Sequence, residues 1–261
     1  MLLLPTLFIK YMLRMSTLII NIFAVQLMWP LSTLWRYNEP GMRQPKPYHH
    51  GNLREALLKA ALRLISEVGP TSFTLREVAR RAGVSHNAPY RHFRDRDELM
   101  AAVSTQGYSE LTRAMLDAVE QESGALVRLK RAGLAYVNFA LRRPEHFTVM
   151  FDAPTSKPSD RRFNTSKMKT KYPEAAEAAE QSFRTLVNFV AACQQEGVLP
   201  LGDTKQLALL AWSMVHGIAK LAITGRLPFS SRDEVLRFAE YVINNSLPIA
   251  IRGEHEYSIP L

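Results

Sequence analysis

The ten residues from Thr74 to Gly83, TLREVARRAG, leave little freedom of local structure. Thr74, followed three residues later by Glu77, forms a capping box in which each side chain serves an orphan backbone N–H at a helix start. Leu75, Val78, Ala79 and Ala82 then recur at helical spacing and make one apolar stripe. Gly83 stands where a left-handed residue ends a helix, a conformation that costs other L residues about 1–2 kcal/mol. A short helix with both ends defined is predicted between them.

A second short helix is predicted just beyond. Ser85 is placed to cap it, and it carries His86, Asn87, Tyr90, Arg91 and His92, polar side chains that need no core. Val84 and Phe93 on either side are expected to be buried. Two short helices joined by a tight glycine turn form the helix-turn-helix pattern, whose second helix lies in the DNA major groove. Charge supports a polyanion partner at this place. Between Arg43 and Arg96 stand eleven basic and four acidic residues, a net of +7. From Asp97 to the C-terminus nineteen basic and nineteen acidic residues cancel. The whole-chain charge of +9 is completed by +2 from residues 1–42. Lysine and arginine supply affinity through phosphates, while base-edge contacts supply specificity.

The rest of the chain extends an all-α reading. Asn52 to Glu55 is another capping box, opening a helix to about Val68 with Leu53, Leu57, Ala60, Ala61, Leu64, Ile65 and Val68 on its buried face. Asp95 caps a long helix to about Glu122, with Leu99, Val103, Leu111, Met115 and Val119 as core candidates. Further helices are predicted over about 126–141, 174–196, 203–224 and 231–246, with the short apolar segment His146–Phe151 after Pro144. Residues Asp152 to Pro173 read as a long loop carrying a solvated basic run. Cys193, the single cysteine, is expected to be a small buried apolar residue, and no disulfide can form within the chain.

Residues 1–47 differ from the remainder. Twenty-one uncharged residues lie between Arg14 and Arg36, the length of a membrane-spanning helix, although Pro30 and several polar residues dilute it. Two readings stand: a stretch upstream of the true start, at Met15 or Met42, or a membrane anchor over residues 15–35. Residues 40–47, rich in Pro and basic, read as a flexible arm. The division expected is 1–47 as extension, 48–104 as DNA-binding domain, 105–247 as a helical domain and 248–261 as tail.

From about Tyr48 to Val103, the runs GNLREALLKAALRLISEVG, FTLREVARRAGVS and YRHFRDRDEL resemble the DNA-binding domain of TetR-family transcriptional regulators. Downstream, Trp212-Ser213-Met214-Val215-His216-Gly217 looks like the W…HG signature of the WHG-type C-terminal domain of one subgroup, and His146–Phe151 looks like that domain's short apolar segment. The resemblance implies a TetR-like all-α fold, with an N-terminal three-helix bundle containing the helix-turn-helix and a C-terminal helical domain for effector binding and dimerisation. It also implies a cytoplasmic homodimer on a double-stranded DNA operator, acting as a ligand-responsive repressor with an unknown small-molecule effector. Family members often carry Gly where this chain has Ala88, a branched or aromatic residue at Pro89, and Lys at Arg96.

The DNA-binding candidates are Thr74, Arg76, Ser85, His86, Asn87, Ala88, Pro89, Tyr90, Arg91, His92 and Arg96. Asn87 can bond adenine in a bidentate way and Ala88 can touch a thymine methyl. Tyr90, Arg76, Arg91 and Arg96 suit phosphates. For a ligand cavity the candidates are Tyr136, Phe139, Met150, Phe151, Trp212 and His216, with Trp212 and His216 stacked at i and i+4 on one helix. Gly217 and Ala219, beside Ala211, suit close helix approach at a dimer interface. The sequence holds no HExxH, no phosphate loop and no GxSxG. No catalytic residue, metal site or cofactor is therefore predicted, and an enzyme or carrier built on the C-terminal helices remains a remote alternative.

Overall fold

The computed structural model describes residues 53–152 and 170–252. Asn52, the apolar stretch 15–35, the arm 40–47, the basic run from Arg161 to Lys169 and the end of the tail lie outside them. The described residues form eight α-helices and one 3₁₀ turn, with no strand among them. The helices are α1 (Leu53–Val68), α2 (Leu75–Ala82), α3 (Arg96–Asp117), α4 (Ala125–Arg142), α5 (Pro144–Phe151), α6 (Pro173–Gln195), α7 (Thr204–Ile223) and α8 (Arg232–Arg252). All belong to one compact unit.

That unit holds two hydrophobic cores. The first gathers Leu57, Leu64, Phe73, Val78 and Phe93 around the start of α3. The second gathers α4, α6, α7 and α8 around Val137, Phe147, Val190 and Ala219. Helix α3 serves both: Leu99, Met100 and Val103 lie in the first, Leu111 and Met115 in the second. Residue 104 therefore falls inside a continuous helix. The short α5 also bridges, since Val149 packs into the first core and Phe147 into the second. Gly107 of α3 makes room for it. A Cβ there would meet Met150 Sδ at 2.5 Å and His146 Cβ at 3.3 Å. The first of these distances is well inside van der Waals contact, so any larger residue here would require Met150 to move.

Helix ends follow local chemistry in some places and distant chemistry in others. Asp203 caps α7 by accepting from the N–H groups of Lys205 and Gln206. The start of α4 has Gly124 at its cap position and no local side chain to serve it. Instead Glu196 Oε2, at the end of α6, accepts from Ala125 N at 2.8 Å. Helix α7 is long and apolar enough to cross a bilayer. Here it packs Ala208, Ala211, Val215, Ile218 and Ala219 into the second core.

Several burial expectations need correction. Val68 is exposed, being the last residue of α1. Leu210 and Leu221, expected in the core of α7, point outward at 51% and 43% exposure. Ala211 and Ala219, expected at a dimer face, lie in the molecule's own core instead. Gly217 has open space around its Cβ position. Cys193 is fully buried, as expected, and burial pushes its thiol up to about 11.

Candidate functional site

The helix-turn-helix is built largely from its own residues. Thr74 N donates to Glu77 Oε2 at 2.7 Å, and Glu77 N donates to Thr74 Oγ1 at 3.3 Å, closing the capping box. Bonds from the Thr74 backbone and hydroxyl hold the Glu77 carboxyl below its usual range. Gly83 ends α2 at φ 71°. The N–H of Val84 then bonds the Ala79 carbonyl at 3.0 Å, which satisfies the last turn. Arg81 forks onto Glu67, tying α2 to α1 with Nη1 to Oε1 at 2.6 Å. Asp95 caps α3 by accepting from Glu98 N at 2.8 Å.

The segment between the turn and α3 is shorter and tighter than expected. Residues Ala88–Arg91 form a four-residue 3₁₀ turn rather than an α-helix. The N–H of Ala88 bonds the carbonyl of Ser85 at 2.9 Å, so Ser85 serves with its backbone and not as a side-chain cap. Pro89 lies in the first turn, where its missing N–H breaks no bond, so the limit on length comes from Asp95, which already opens the next helix. Pro89, expected at the DNA face, is instead fully buried beneath it. Ser85, His86, Asn87, Tyr90, Arg91 and His92 are exposed and Ala88 partly so. Thr74 and Arg76 are exposed at the start of α2.

Arg96 is the second correction. Its Nη1 donates to the carbonyls of Pro70 at 3.3 Å and Thr71 at 2.8 Å. Its Nη2 lies 3.6 Å from Asp97, and its guanidinium sits over the Phe73 ring. Its donors are turned onto the α1–α2 connection, so its role here is to hold that loop against α3. His92 lines a polar cleft of about 360 Å³ with Arg54, Arg94, Glu98, Lys171 and Tyr172, on the side facing α6.

The second site is an apolar cavity of about 240 Å³ in the helical bundle. Helix α3 supplies Tyr108, Leu111 and Met115, and α6 supplies Ala179, Ser182, Phe183 and Leu186. Tyr136, Phe151, Leu209 and Trp212 complete the wall. Of the candidates named from sequence, Tyr136, Phe151 and Trp212 therefore line it. His216 does not; it stands behind Tyr136 and stacks on Phe147 with ring centroids 5.2 Å apart. Phe139 is core, and Met150 packs against Gly107 instead of the cavity. Sequence reasoning missed every lining residue from α3 and α6. Their only signal was ordinary helical spacing, which does not separate cavity from core.

The polar atoms at the cavity floor serve one another. Trp212 Nε1 donates to the Tyr136 hydroxyl at 3.1 Å, and that hydroxyl lies 2.8 Å from His216 Nδ1. Having accepted from Trp212, Tyr136 can direct its proton at Nδ1, which assigns the ring proton of His216 to Nε2. Burial lowers the His216 pKa and raises that of Tyr136, so both are neutral near pH 7. The Tyr108 hydroxyl donates to the Met150 carbonyl at 3.2 Å, and burial pushes it up to about 12. No group of His, Cys, Asp and Glu among the described residues could hold a metal ion.

A bundle-borne helix-turn-helix with an exposed polar edge, joined through one long helix to a cavity-bearing bundle, defines a DNA-binding regulator. Comparison with known proteins agrees. Residues 57–103 match the bacterial regulatory proteins of the tetR family, and residues 129–244 match the tetracyclin repressor-like C-terminal domain. The chain belongs to the TetR family. A solved structure of a protein of unknown function from Rhodococcus sp. RHA1 is 36% identical, with a TM-score of 0.62, covering 78% of this chain and 100% of that one. A TetR family transcriptional regulator from Thermus thermophilus shares the fold at a TM-score of 0.56 and 17% identity, over 77% of this chain and 99% of that one. An HTH-type transcriptional repressor of Mycobacterium tuberculosis is 34% identical over 73 residues, 28% of this chain. That match spans only 39% of the repressor's own length.

Proposed function

We propose that the protein is a cytoplasmic, dimeric transcriptional repressor whose grip on its DNA operator responds to a small molecule in the bundle cavity. The observation that carries the DNA half is the exposed edge His86-Asn87-Ala88 with Tyr90 and Arg91, set on a closed helix-turn-helix in the basic part of the chain. Asn87 and Ala88 would meet base edges in the major groove. Tyr90, Arg91 and Arg76 would meet phosphates, with Ser85 as a further donor. Arg76 and Arg91 form no ion pair among the described residues, which keeps their donors available.

Dimerisation is assigned to α7 and α8. Leu210, Ser213, Gly217 and Leu221 form an outward stripe on α7, and Tyr241 of α8 is 66% exposed. An apolar face of this kind on a folded helix pair calls for a partner surface. A twofold dimer through it would set two recognition turns about 34 Å apart, or somewhat more, in successive major grooves. The W…HG segment, with Trp212 and His216 joined through Tyr136, supports a place in the WHG-type subgroup. An effector in the cavity would act only through unequal affinity for DNA-competent and DNA-incompetent states.

The test is direct. DNA captured by the purified chain is sequenced, and its affinity is measured by gel shift across a salt series. Tyr90→Ala with Arg91→Ala should weaken binding by more than about 1 kcal/mol and flatten the salt dependence by about one unit of slope, from the loss of the Arg91 charge. Unchanged affinity and slope would remove this edge from the interface.

A further inference from the structure

We propose that the bundle cavity selects a compact, uncharged, ring-bearing molecule of about ten non-hydrogen atoms, carrying at most one or two hydrogen-bonding groups. The inference rests on the effector reading above and adds the chemical class. Size comes first. A cavity of about 150 Å³ lined by aliphatic and aromatic side chains holds benzene, so the 240 Å³ here takes roughly one or two fused rings. Long flexible chains and nucleotide-sized molecules exceed this volume and would extend out through its open side.

Charge comes second. The wall contains no Asp, Glu, Lys, Arg or His. His216 lies behind Tyr136 and is kept neutral by burial, as are the wall's own Tyr108 and Tyr136 hydroxyls. Lys220, one turn beyond His216 on α7, is already paired with Asp152. An ion seated against this wall would lose much of its water shell and gain no counter-charge from the lining residues, which is unfavourable.

Shape and polarity come third. Phe151, Phe183 and Trp212 meet at the wall, with ring centroids of the Phe151–Trp212 and Phe183–Trp212 pairs 6.1 and 6.2 Å apart. These faces favour a flat partner that stacks or meets their edges. The donors at the floor are committed: the indole N–H to Tyr136, and the Tyr108 hydroxyl to the Met150 carbonyl. What remains for a ligand is the Ser182 hydroxyl and the unfilled acceptor lone pairs of the Tyr108 and Tyr136 oxygens, a single donor with weak phenolic acceptors. Recognition is therefore carried by apolar contact, with polarity tuning the fit.

The experiment is calorimetric titration of the full chain at neutral pH with three ligands of one shape and different charge: 2-naphthol, 2-naphthoate and 2-naphthylmethylammonium. 2-Naphthol is expected to bind, and both ions to bind at least about tenfold more weakly. Ala179→Phe, which fills the cavity from α6, should cut 2-naphthol affinity at least about tenfold while the protein keeps a cooperative melt. Ser182→Leu serves the same purpose if Ala179→Phe fails to fold. Either ion binding as tightly as 2-naphthol overturns the proposal. So does absence of 2-naphthol binding, or unchanged binding in the filled variants. Gel shift with the captured DNA is read separately: 2-naphthol that binds without altering DNA affinity removes the effector reading and leaves the ligand class standing.

Discussion

The two ends of α3 sit in regions built by opposite means. At the helix-turn-helix end, the helix ends are set by residues a few positions apart, Thr74 with Glu77, Gly83 with Arg80 and Asp95 with Glu98, while Arg81 with Glu67 and Arg96 with Thr71 reach farther to pack the helices. At the bundle end they join residues far apart: Ala125 with Glu196, Tyr136 with His216, and Asp152 with Lys220. The first region presents a surface shaped by its own sequence. The second lines a space that exists only once five helices have come together. A DNA reader of this kind can thus be recognised locally, whereas a ligand pocket depends on the whole assembly.

The largest expected effect tests the assembled end. Phe147 is fully buried and touches the rings of Tyr136, Phe151 and His216. Phe147→Ala should cost about 3–5 kcal/mol of stability, measured by denaturant unfolding. A cost below about 1 kcal/mol would show that the aromatic cluster does not hold the bundle. Next comes the packing between α3 and α5. Gly107→Ala places a methyl group against Met150 and should destabilise by about 1–3 kcal/mol, unless Met150 swings aside. Since Gly107 sits between the two cores, one cooperative transition is expected to move, not one of two.

Local chemistry predicts a smaller change. Thr74→Ala opens the capping box and should cost about 1 kcal/mol, with the loss confined to the α1–α2 region by hydrogen exchange. If protection falls equally in α4 and α7, the contrast between the two regions is too sharply drawn. The smallest effect concerns acidity. Burial lowers the His216 pKa in the folded protein, so its contribution to stability is complete above the ordinary histidine value of about 6.5. It is lost as pH falls through the depressed folded value, because the unfolded chain takes up the proton first. Melting temperature should therefore drop on acidification, and His216→Gln should reduce that slope. Part of the slope will persist, since burial also lowers the pKa of His146, whose Nε2 has no hydrogen-bond partner.

Much of the fold could be read in advance because helix ends carry their own chemistry. Asp203, Gly83 and Pro144 stop or start helices within a residue or so of the predicted places. The recognition segment was less legible. Its polar side chains are exposed as expected, but the nearby cap at Asp95 leaves room only for a 3₁₀ turn, and Pro89 is buried beneath it. The family resemblance implies a phosphate ligand at Arg96. Its true partners are carbonyls 25 and 26 residues earlier, which spacing along one helix does not reveal.

By itself, then, the sequence determined the all-α class, the helix-turn-helix and its basic setting. Those rest on caps, periodicity and charge, which act over one or two turns of chain. Only the tertiary structure decided that α3 belongs to both cores, that Glu196 caps α4, and that Tyr108, Ser182 and Phe183 share a cavity with Trp212. Each of these depends on which helix faces meet. Apolar spacing shows that a residue is buried, and packing alone settles what it is buried against.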